Sequence, residues 1–325
     1  MQSPSAEPNK ARPVAVIGGG SIGTAFAIVF ARAGYAVKVQ DPDTARHDVA
    51  LEVLRSRLAE LQRYGLIDEP VDVIAARVTI GPDIKATLAG AQYVQECAPE
   101  NLELKQALFA ELDALAEPDA VIASSTSAIR ASQSAAHVKG RSRFLVCHPG
   151  NPPFLIPVIE VVPAPFTDPA VAERARLFLL SCNLQPIMVK KEMEGFVFNR
   201  LQGAVLREAY CLVRDGVVTV DEIDQMVRDG LGLRWSFMGP FETVDLNTRG
   251  GIASHALKMG PAYERMGNER GQHDPWTPDL VAKVDGERRA LVPLDQWEEK
   301  NAWRDRRLMA LLKHRREQEK LEGKK

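Results

Sequence analysis

An α/β unit built on a parallel sheet, followed by an all-helical domain, is the fold class this sequence predicts, and three observations carry it. The first is Val14-Ala15-Val16-Ile17, an apolar β-type run that enters the glycine turn Gly18-Gly19-Gly20-Ser21-Ile22-Gly23 and opens into a helical pattern at Thr24-Ala25-Phe26. The second is the alternation of short β-type runs with helical stretches as far as Lys190, the pattern of a sheet covered by helices. The third is that apolar residues beyond Gly195 recur almost entirely at helical spacing.

The glycines have separate physical tasks. Gly18, Gly20 and Gly23 stand at the G-x-G-x-x-G spacing. Gly18 permits the tight turn, Gly20 lets the backbone approach a pyrophosphate, and Gly23 lets the helix pack close to the sheet. The phosphates would sit on free N–H groups at the helix N-terminus, where the dipole favours anions. The next strand, Tyr35 to Asp41, ends in an acid. A carboxylate there accepts from both ribose hydroxyls and repels a 2′-phosphate, which favours NAD over NADP. Arg46 lies nearby and would weaken that discrimination, and Asp41 and Asp43 taken alone are turn acids. Together these features predict a Rossmann-type dinucleotide-binding domain over residues 13–190, with NAD as cofactor.

The chain has 325 residues, 45% of them apolar, and a net charge of -2. That length suits two domains, and that charge argues against nucleic acid or an anionic membrane as partner. No apolar run approaches the length of a spanning helix. Residues 1–12 are polar, lack the hydrophobic core of a signal peptide, and predict a loose tail. Cys97, Cys147, Cys182 and Cys211 have no C-x-x-C spacing, which predicts a cytoplasmic protein with buried thiols, without disulfides or metal.

Along the chain, Thr44 to Tyr64 predicts one long helix with Val49, Val53, Leu54, Leu58 and Leu61 on its apolar side. Arg77 to Ile80 predicts a strand, as does Ala91 to Ala98. Glu100 and Lys105 follow at the entry to a helix, on the carboxyl edge of the sheet where open α/β folds bind ligands. They can reach the nicotinamide half of a dinucleotide, or be a helix-start acid and a surface lysine. Ala120 to Ala123 is the next strand and ends in Ser124-Ser125-Thr126-Ser127, hydroxyls that serve a polar ligand or cap a helix. Arg143 to Cys147 is a strand that ends in His148-Pro149-Gly150-Asn151-Pro152-Pro153.

A histidine at a strand end is placed for acid–base work near neutral pH. Val158-Ile159-Glu160-Val161-Val162 then puts one acid inside an apolar run. A buried carboxylate needs a partner, and His148 is the simplest one, with Glu160 fixing the ring's orientation and tautomer. A helix from Asp168 to Cys182 and a run from Gln185 to Lys190 complete the first domain, with the boundary near Lys191. Gly195 to Arg214 is a long amphipathic helix with Asn199 in its first turns, either aimed at the cleft or simply a polar residue near a helix start. Val220 to Arg228 predicts a further helix that stops at Asp229-Gly230, and Glu298 to Lys325 a charged one.

The glycine turn, Asp41, Glu100-Asn101-Leu102 with Lys105, the Ser-Ser-Thr-Ser run, His148-Pro149 with Asn151-Pro152, Glu160, and Gly195 with Asn199-Arg200 occur in one order. That order resembles the 3-hydroxyacyl-CoA dehydrogenase superfamily from Pro13 to about Gly251. Val94 to Glu100, His148 to Pro153 and Gly230 to Trp235 resemble the branch that contains λ-crystallin and L-gulonate 3-dehydrogenase. The resemblance implies that His148 is the catalytic base and Glu160 its partner. It implies that Ser127 and Asn199 surround the substrate oxygen and that Asn151 touches substrate. It also implies cofactor contacts from Ser21, Ile22, Asp41, Glu100 and Lys105, and a homodimer built by the helical domain over residues 191–325.

The substrate is less legible. The hydroxyacyl-CoA enzymes place lysines after the second strand, whereas this chain has no lysine from Thr44 to Pro82. A small free hydroxy acid needs a cation for its carboxylate, and Arg234, in a turn beside Gly232 and Trp235, offers a matching guanidinium or is a surface or inter-subunit arginine. A small 3-hydroxy acid is therefore expected, L-gulonate-like as the branch resemblance implies, with a hydroxyacyl-CoA ester or carnitine as alternatives. Trp235 and Phe237 would begin the aromatic cage that carnitine needs. A non-catalytic, crystallin-like role is the remaining alternative, although it does not require His148 and Glu160. No role is assigned to Gln272 to Val292.

Overall fold

Short runs of four to six residues, most of them largely apolar, build the sheet. In chain order the elements are β1 (Val14–Ile17), α1 (Ser21–Arg32), β2 (Val37–Gln40), α2 (His47–Arg63), α3 (Val71–Ala75), β3 (Val78–Gly81), α4 (Ile84–Leu88) and β4 (Tyr93–Glu96). Then come α5 (Leu102–Leu115), β5 (Val121–Ser124), α6 (Ala131–Ser134), β6 (Phe144–Pro149), β7 (Val158–Pro163), α7 (Pro169–Ser181) and β8 (Gln185–Met188). The structure, a computed structural model, describes residues 8–271 and 277–297 together with scattered positions between 299 and 321.

The eight strands form one sheet in the order β3-β2-β1-β4-β5-β6-β7-β8. β1 to β6 are parallel, β7 is antiparallel to β6, and β8 is parallel to β7. β1, β4 and β5 are buried along their whole length, as strands covered by helices on both faces must be. β1 pairs with β2 on one side and β4 on the other, so the order of connection reverses beside it. That reversal is the switch point at which open α/β sheets bind ligands. Phe30 of α1 and Tyr93 of β4 pack against Phe178 of α7, with centroids 5.4 and 4.1 Å away.

Several elements differ from expectation for identifiable reasons. Residues Thr44–Arg46 form a 3₁₀ turn and α2 begins at His47. Its buried face is Ala50, Leu54, Leu58 and Leu61, while Val49 and Val53 are exposed. The helical period starting at Ala50 leaves those two valines on the neighbouring, solvent-facing stripe. Asn9 and Arg12 are fastened rather than loose. Arg12 reaches Asp119 at 2.6 Å, and the amide of Gln92 exchanges hydrogen bonds with Asn9. Residues 1–7 lie outside the described part.

By internal packing the chain divides into Met1–Arg207 and Glu208–Lys325. The first unit thus extends past Lys191 to include the start of α8 (Phe198–Arg214), whose first turn is hydrogen-bonded to Glu160 of β7. The second unit is helical: α9 (Val220–Met226), α10 (Gly232–Trp235), α11 (Pro240–Asn247), α12 (Gly251–Glu269) and α13 (Pro278–Leu291). Thr219 and Glu222 form a reciprocal capping box at the start of α9. The expected stop at Asp229-Gly230 is absent. Val227–Leu231 instead forms a π-helical turn that runs straight into α10. Gly232 makes that close approach possible, since a Cβ there would lie 2.8 Å from the Val227 carbonyl oxygen. α13 occupies part of the segment 272–292, and most of the expected tail helix from Glu298 lies outside the described residues.

No helix among the described residues is long and apolar enough to cross a membrane. All four cysteines are free, and burial pushes the thiols of Cys97, Cys147 and Cys182 up to about 12. Among the described residues no group of three or more His, Cys, Asp or Glu side chains is arranged to hold a metal ion.

Candidate functional site

The site is assembled on the first unit, where β1, β4, β5 and β6 end. Gly18 takes φ +103°, and a Cβ there would meet the Cys97 carbonyl oxygen at 2.8 Å. A Cβ on Gly23 would fall 1.8 Å from the Gly18 carbonyl oxygen, so α1 starts where it does only because both residues are glycine. A Cβ on Gly20 would have no neighbour within 4 Å. Gly20 is also the N-cap of α1, without a side-chain cap and without an acid in the first turn. That open, uncapped N-terminus, led by Ser21 and Ile22, fits a pyrophosphate.

Asp41 is buried at the end of β2. Its Oδ2 accepts from the Gly19 N–H at 2.9 Å and its Oδ1 from the Asp43 N–H at 3.0 Å. The carboxylate is therefore locked against the glycine turn, where an acid selects a ribose bearing a free 2′-hydroxyl. The residues present fit NAD.

Glu100 and Lys105 are organised differently from one another. Lys105 is 1% exposed, which corrects the surface-lysine alternative. Its Nζ donates to Glu96 Oε1 at 2.7 Å and to the Ala98 carbonyl at 3.1 Å. Glu96, wholly buried, also accepts from the Ala98 N–H at 2.6 Å and from the Ser124 hydroxyl at 2.5 Å. Glu100 is half-exposed, with Oε2 3.9 Å from Lys105. Its Oε1 accepts from the Thr126 hydroxyl at 2.5 Å and from the N–H groups of Ser127 and Ala128 at 3.1 and 3.0 Å. Burial opposes ionisation of Glu100, but the Thr126 hydroxyl, the backbone N–H groups and the Lys105 ammonium outweigh it and hold the carboxyl below its ordinary value.

The antiparallel register of β6 and β7 sets His148 directly opposite Glu160, inside the strand rather than after it. His148 Nδ1 and Glu160 Oε2 are 2.8 Å apart, and both side chains are buried. The other Glu160 oxygen accepts from the N–H groups of Val197 and Phe198 at 2.6 and 3.1 Å. One carboxylate thus braces the imidazole and caps the first turn of α8. Phe196, fully buried at φ +48°, and Phe198 flank the ring with centroids 5.6 and 6.3 Å away. Asn199 Nδ2 donates to the Ser127 carbonyl at 2.9 Å, so these two candidates meet at the first turn of α8, the turn that Glu160 caps. Asn151 is exposed on the turn after β6, at a cis bond to Pro152.

Six of the expected residues therefore cluster through hydrogen bonds, strand pairing or an ion pair: His148 with Glu160, Ser127 with Asn199, Glu100 with Ser127, and Lys105 beside Glu100. Arg234 belongs to the second unit and lies on the short helix α10, half-buried, instead of in a turn. Sequence reasoning missed Glu96 and Phe196, and it named Ser124 and Thr126 only as members of the hydroxyl run, without their carboxylate partners. The signal for Glu96 was present: it is an acid inside an apolar strand, the same feature that singled out Glu160.

The profile of the 3-hydroxyacyl-CoA dehydrogenase NAD binding domain matches residues 13–193, and that of the 3-hydroxyacyl-CoA dehydrogenase C-terminal domain matches residues 195–291. The chain is 37% identical to the Lambda-crystallin homolog of Bos taurus over 321 residues, covering 95% of this chain and 98% of that protein. It is 38% identical to the L-carnitine dehydrogenase of Streptomyces griseus over 274 residues, covering 83% and 77%. Among solved structures, an NAD+-dependent dismutase, 5-formyl-3-hydroxy-2-methylpyridine 4-carboxylic acid 5-dehydrogenase, is similar at TM-score 0.71 and 29% identity, covering 97% of this chain and 99% of that one. The glycine turn that fits NAD, the helical second unit and these matches lead to one conclusion: the chain is an NAD-binding oxidoreductase that belongs to the 3-hydroxyacyl-CoA dehydrogenase family.

Proposed function

We propose that the protein oxidises the 3-hydroxyl of a small, L-gulonate-like 3-hydroxy acid to the 3-keto acid, with NAD as acceptor and His148 as general base. The observation that carries this is the 2.8 Å bond between His148 Nδ1 and Glu160. It leaves Nε2 as the nitrogen that receives a proton, because a ring nitrogen engaged with a carboxylate is the one that keeps its hydrogen. Nε2 takes the hydroxyl proton as C3 is oxidised. Glu160 then faces an imidazolium and stabilises it across the same hydrogen bond. The Ser127 hydroxyl and the Asn199 amide, which keeps a second N–H for substrate, donate to the oxygen as it gains charge. In the reverse direction the protonated ring returns the proton to the keto oxygen. Nicotinamide, when bound, supplies the hydride acceptor. The glycine turn with Ser21 and Ile22, together with Asp41, Glu100 and Lys105, would hold the dinucleotide.

A free acid is preferred over a CoA ester because α2 and the segment after it, from Thr44 to Pro82, carry no lysine to meet the phosphates of CoA. Arg234 is assigned to the substrate carboxylate and Asn151 to its polar end. The test is NAD reduction with L-gulonate, 3-hydroxybutyrate, L-carnitine and 3-hydroxybutyryl-CoA, each repeated with NADP. Preference for L-gulonate with NAD supports the assignment; preference for the CoA ester overturns it. L-carnitine is the second reading, favoured by the Streptomyces relative and by Trp235 and Phe237, the latter edge-on to Trp303 at 5.8 Å.

A cytoplasmic homodimer belongs to the same proposal. Four free thiols suit a reducing compartment. α8 carries exposed Leu201, Val205, Leu206 and Tyr210 with no fully buried residue, and such an apolar face is stabilised by burial against a second copy. Light scattering that returns a monomer of 35.8 kDa overturns the dimer.

A further inference from the structure

The turn between β5 and α6 carries Ser127 at its exposed tip. Ser127 is exposed, as is Ala128. What fixes the turn is Glu100, which approaches from the start of α5. A single oxygen, Oε1, collects the Thr126 hydroxyl and the successive N–H groups of Ser127, Ala128 and Ile129, the last at 3.4 Å. Thr126 is 2% exposed, and its oxygen accepts in turn from the Ile129 N–H at 2.9 Å. Immediately before it, Ser125 is tied by its N–H and its hydroxyl to the Glu96 carbonyl, both at 2.8 Å. Within the clamped turn itself, the Ser127 carbonyl accepts the Asn199 amide.

We propose that Glu100 is a positioning residue of the reaction. One oxygen of its carboxylate clamps the 126–129 turn, and through that turn sets the Ser127 hydroxyl and the Asn199 amide against the substrate oxygen. This rests on the dehydrogenase assignment above and adds a role distinct from a direct cofactor contact. The clamp is a concave set of consecutive N–H groups closed on an anion, a strong arrangement because the acceptor is charged. Its second oxygen lies 3.9 Å from the Lys105 ammonium, so one oxygen of the side chain is committed to the turn and the other is not.

The test uses the full-length protein and the variants Thr126→Val, Thr126→Ser and Glu100→Ala, with two readouts. The first is hydrogen exchange at the amides of residues 127–129, which needs no substrate. It should accelerate about tenfold or more in T126V and E100A, stay near wild type in T126S, and leave the β6 amides unchanged. The second is kcat and KM on the acid chosen by the substrate panel, at saturating NAD. kcat should fall about tenfold in T126V and about 100-fold in E100A, and recover in T126S, with the NADH dissociation constant of T126V within about threefold of wild type. Wild-type exchange in both T126V and E100A overturns the clamp. Faster exchange with unchanged kcat overturns the positioning role, as does a loss of kcat that saturating cofactor restores. If the wild type oxidises no acid in the panel, the reaction and the role fall together, while the exchange data still decide whether the clamp exists.

Discussion

Two buried carboxylates on strands of the same sheet each face a buried base, and they are built for opposite ends. Glu96 on β4 holds Lys105, and every polar atom of that carboxylate is spent on the protein: the ammonium, the Ala98 N–H and the Ser124 hydroxyl. Glu160 on β7 holds His148, and its remaining oxygen caps α8. The difference lies in the cation. In the first pair the ammonium, a backbone N–H and a hydroxyl together use both carboxylate oxygens, so that pair is a strut. The imidazole of the second pair engages its carboxylate through Nδ1 and keeps its other ring nitrogen out of that bond, the atom on which the proposed reaction depends. Burial of an ion pair is therefore no sign of chemistry by itself. A partner that changes its protonation state and keeps one atom unclaimed is the better sign.

The comparison is broken most severely at the imidazole. His148→Gln should lower kcat about 10³-fold or more while NADH affinity stays within about threefold, since general acid–base contributions reach that size. Turnover near wild type removes His148 from the mechanism. The strut predicts a different failure. Glu96→Ala should cost about 3–5 kcal/mol of stability in urea titrations, because it strands a buried ammonium. The double replacement Glu96→Gln with Lys105→Met should recover most of that, because the unpaired charge is gone. A double variant as unstable as E96A would show that the pair does more than compensate its own burial.

Glu160→Gln separates the two tasks of that carboxylate. A glutamine oxygen still accepts from Val197 and Phe198, so α8 keeps its cap, but the imidazolium loses its countercharge. kcat should fall about 100-fold with a melting temperature close to wild type. A large drop in melting temperature with modest loss of kcat would make Glu160 chiefly a cap.

How much of this was legible beforehand follows physical range. The glycine turn, the strands and the His148–Glu160 pairing were readable because each is local or follows from one rule, that a carboxylate in an apolar strand needs a partner. That rule applied equally to Glu96, and its lysine sits on the next helix, where helical periodicity shows only a charged residue. The Glu100 clamp was unreadable because backbone N–H groups carry no sequence signature. The exposed valines of α2 were misjudged because two helical stripes were both apolar and only packing chooses between them. The π turn before α10 was misjudged because Asp-Gly usually ends a helix, whereas here Gly232 admits the Val227 carbonyl.

The helical unit contains a second histidine that sharpens the contrast. His255 on α12 is buried, and its Nδ1 meets the Thr248 hydroxyl at 3.2 Å. Its Nε2 is buried, with no hydrogen-bond partner among the described residues. Where His148 has a carboxylate ready for the imidazolium, His255 has a hydroxyl, and burial lowers its pKa below the ordinary value of 6.5. The folded unit therefore favours the neutral ring more than the unfolded chain does. The unfolded chain binds the proton first as pH falls, so this contribution to stability is complete above about pH 6.5 and is lost as acid is added. His255→Gln should remove that loss: amide exchange in α12 should accelerate less between pH 7 and about pH 5 in the variant than in wild type, once intrinsic exchange rates are corrected. The effect is the smallest of the four, because a single lowered histidine without a charge partner is involved. An identical pH dependence in both proteins would mean that the ring is protonated as readily in the fold as outside it, and that burial alone does not distinguish the two histidines.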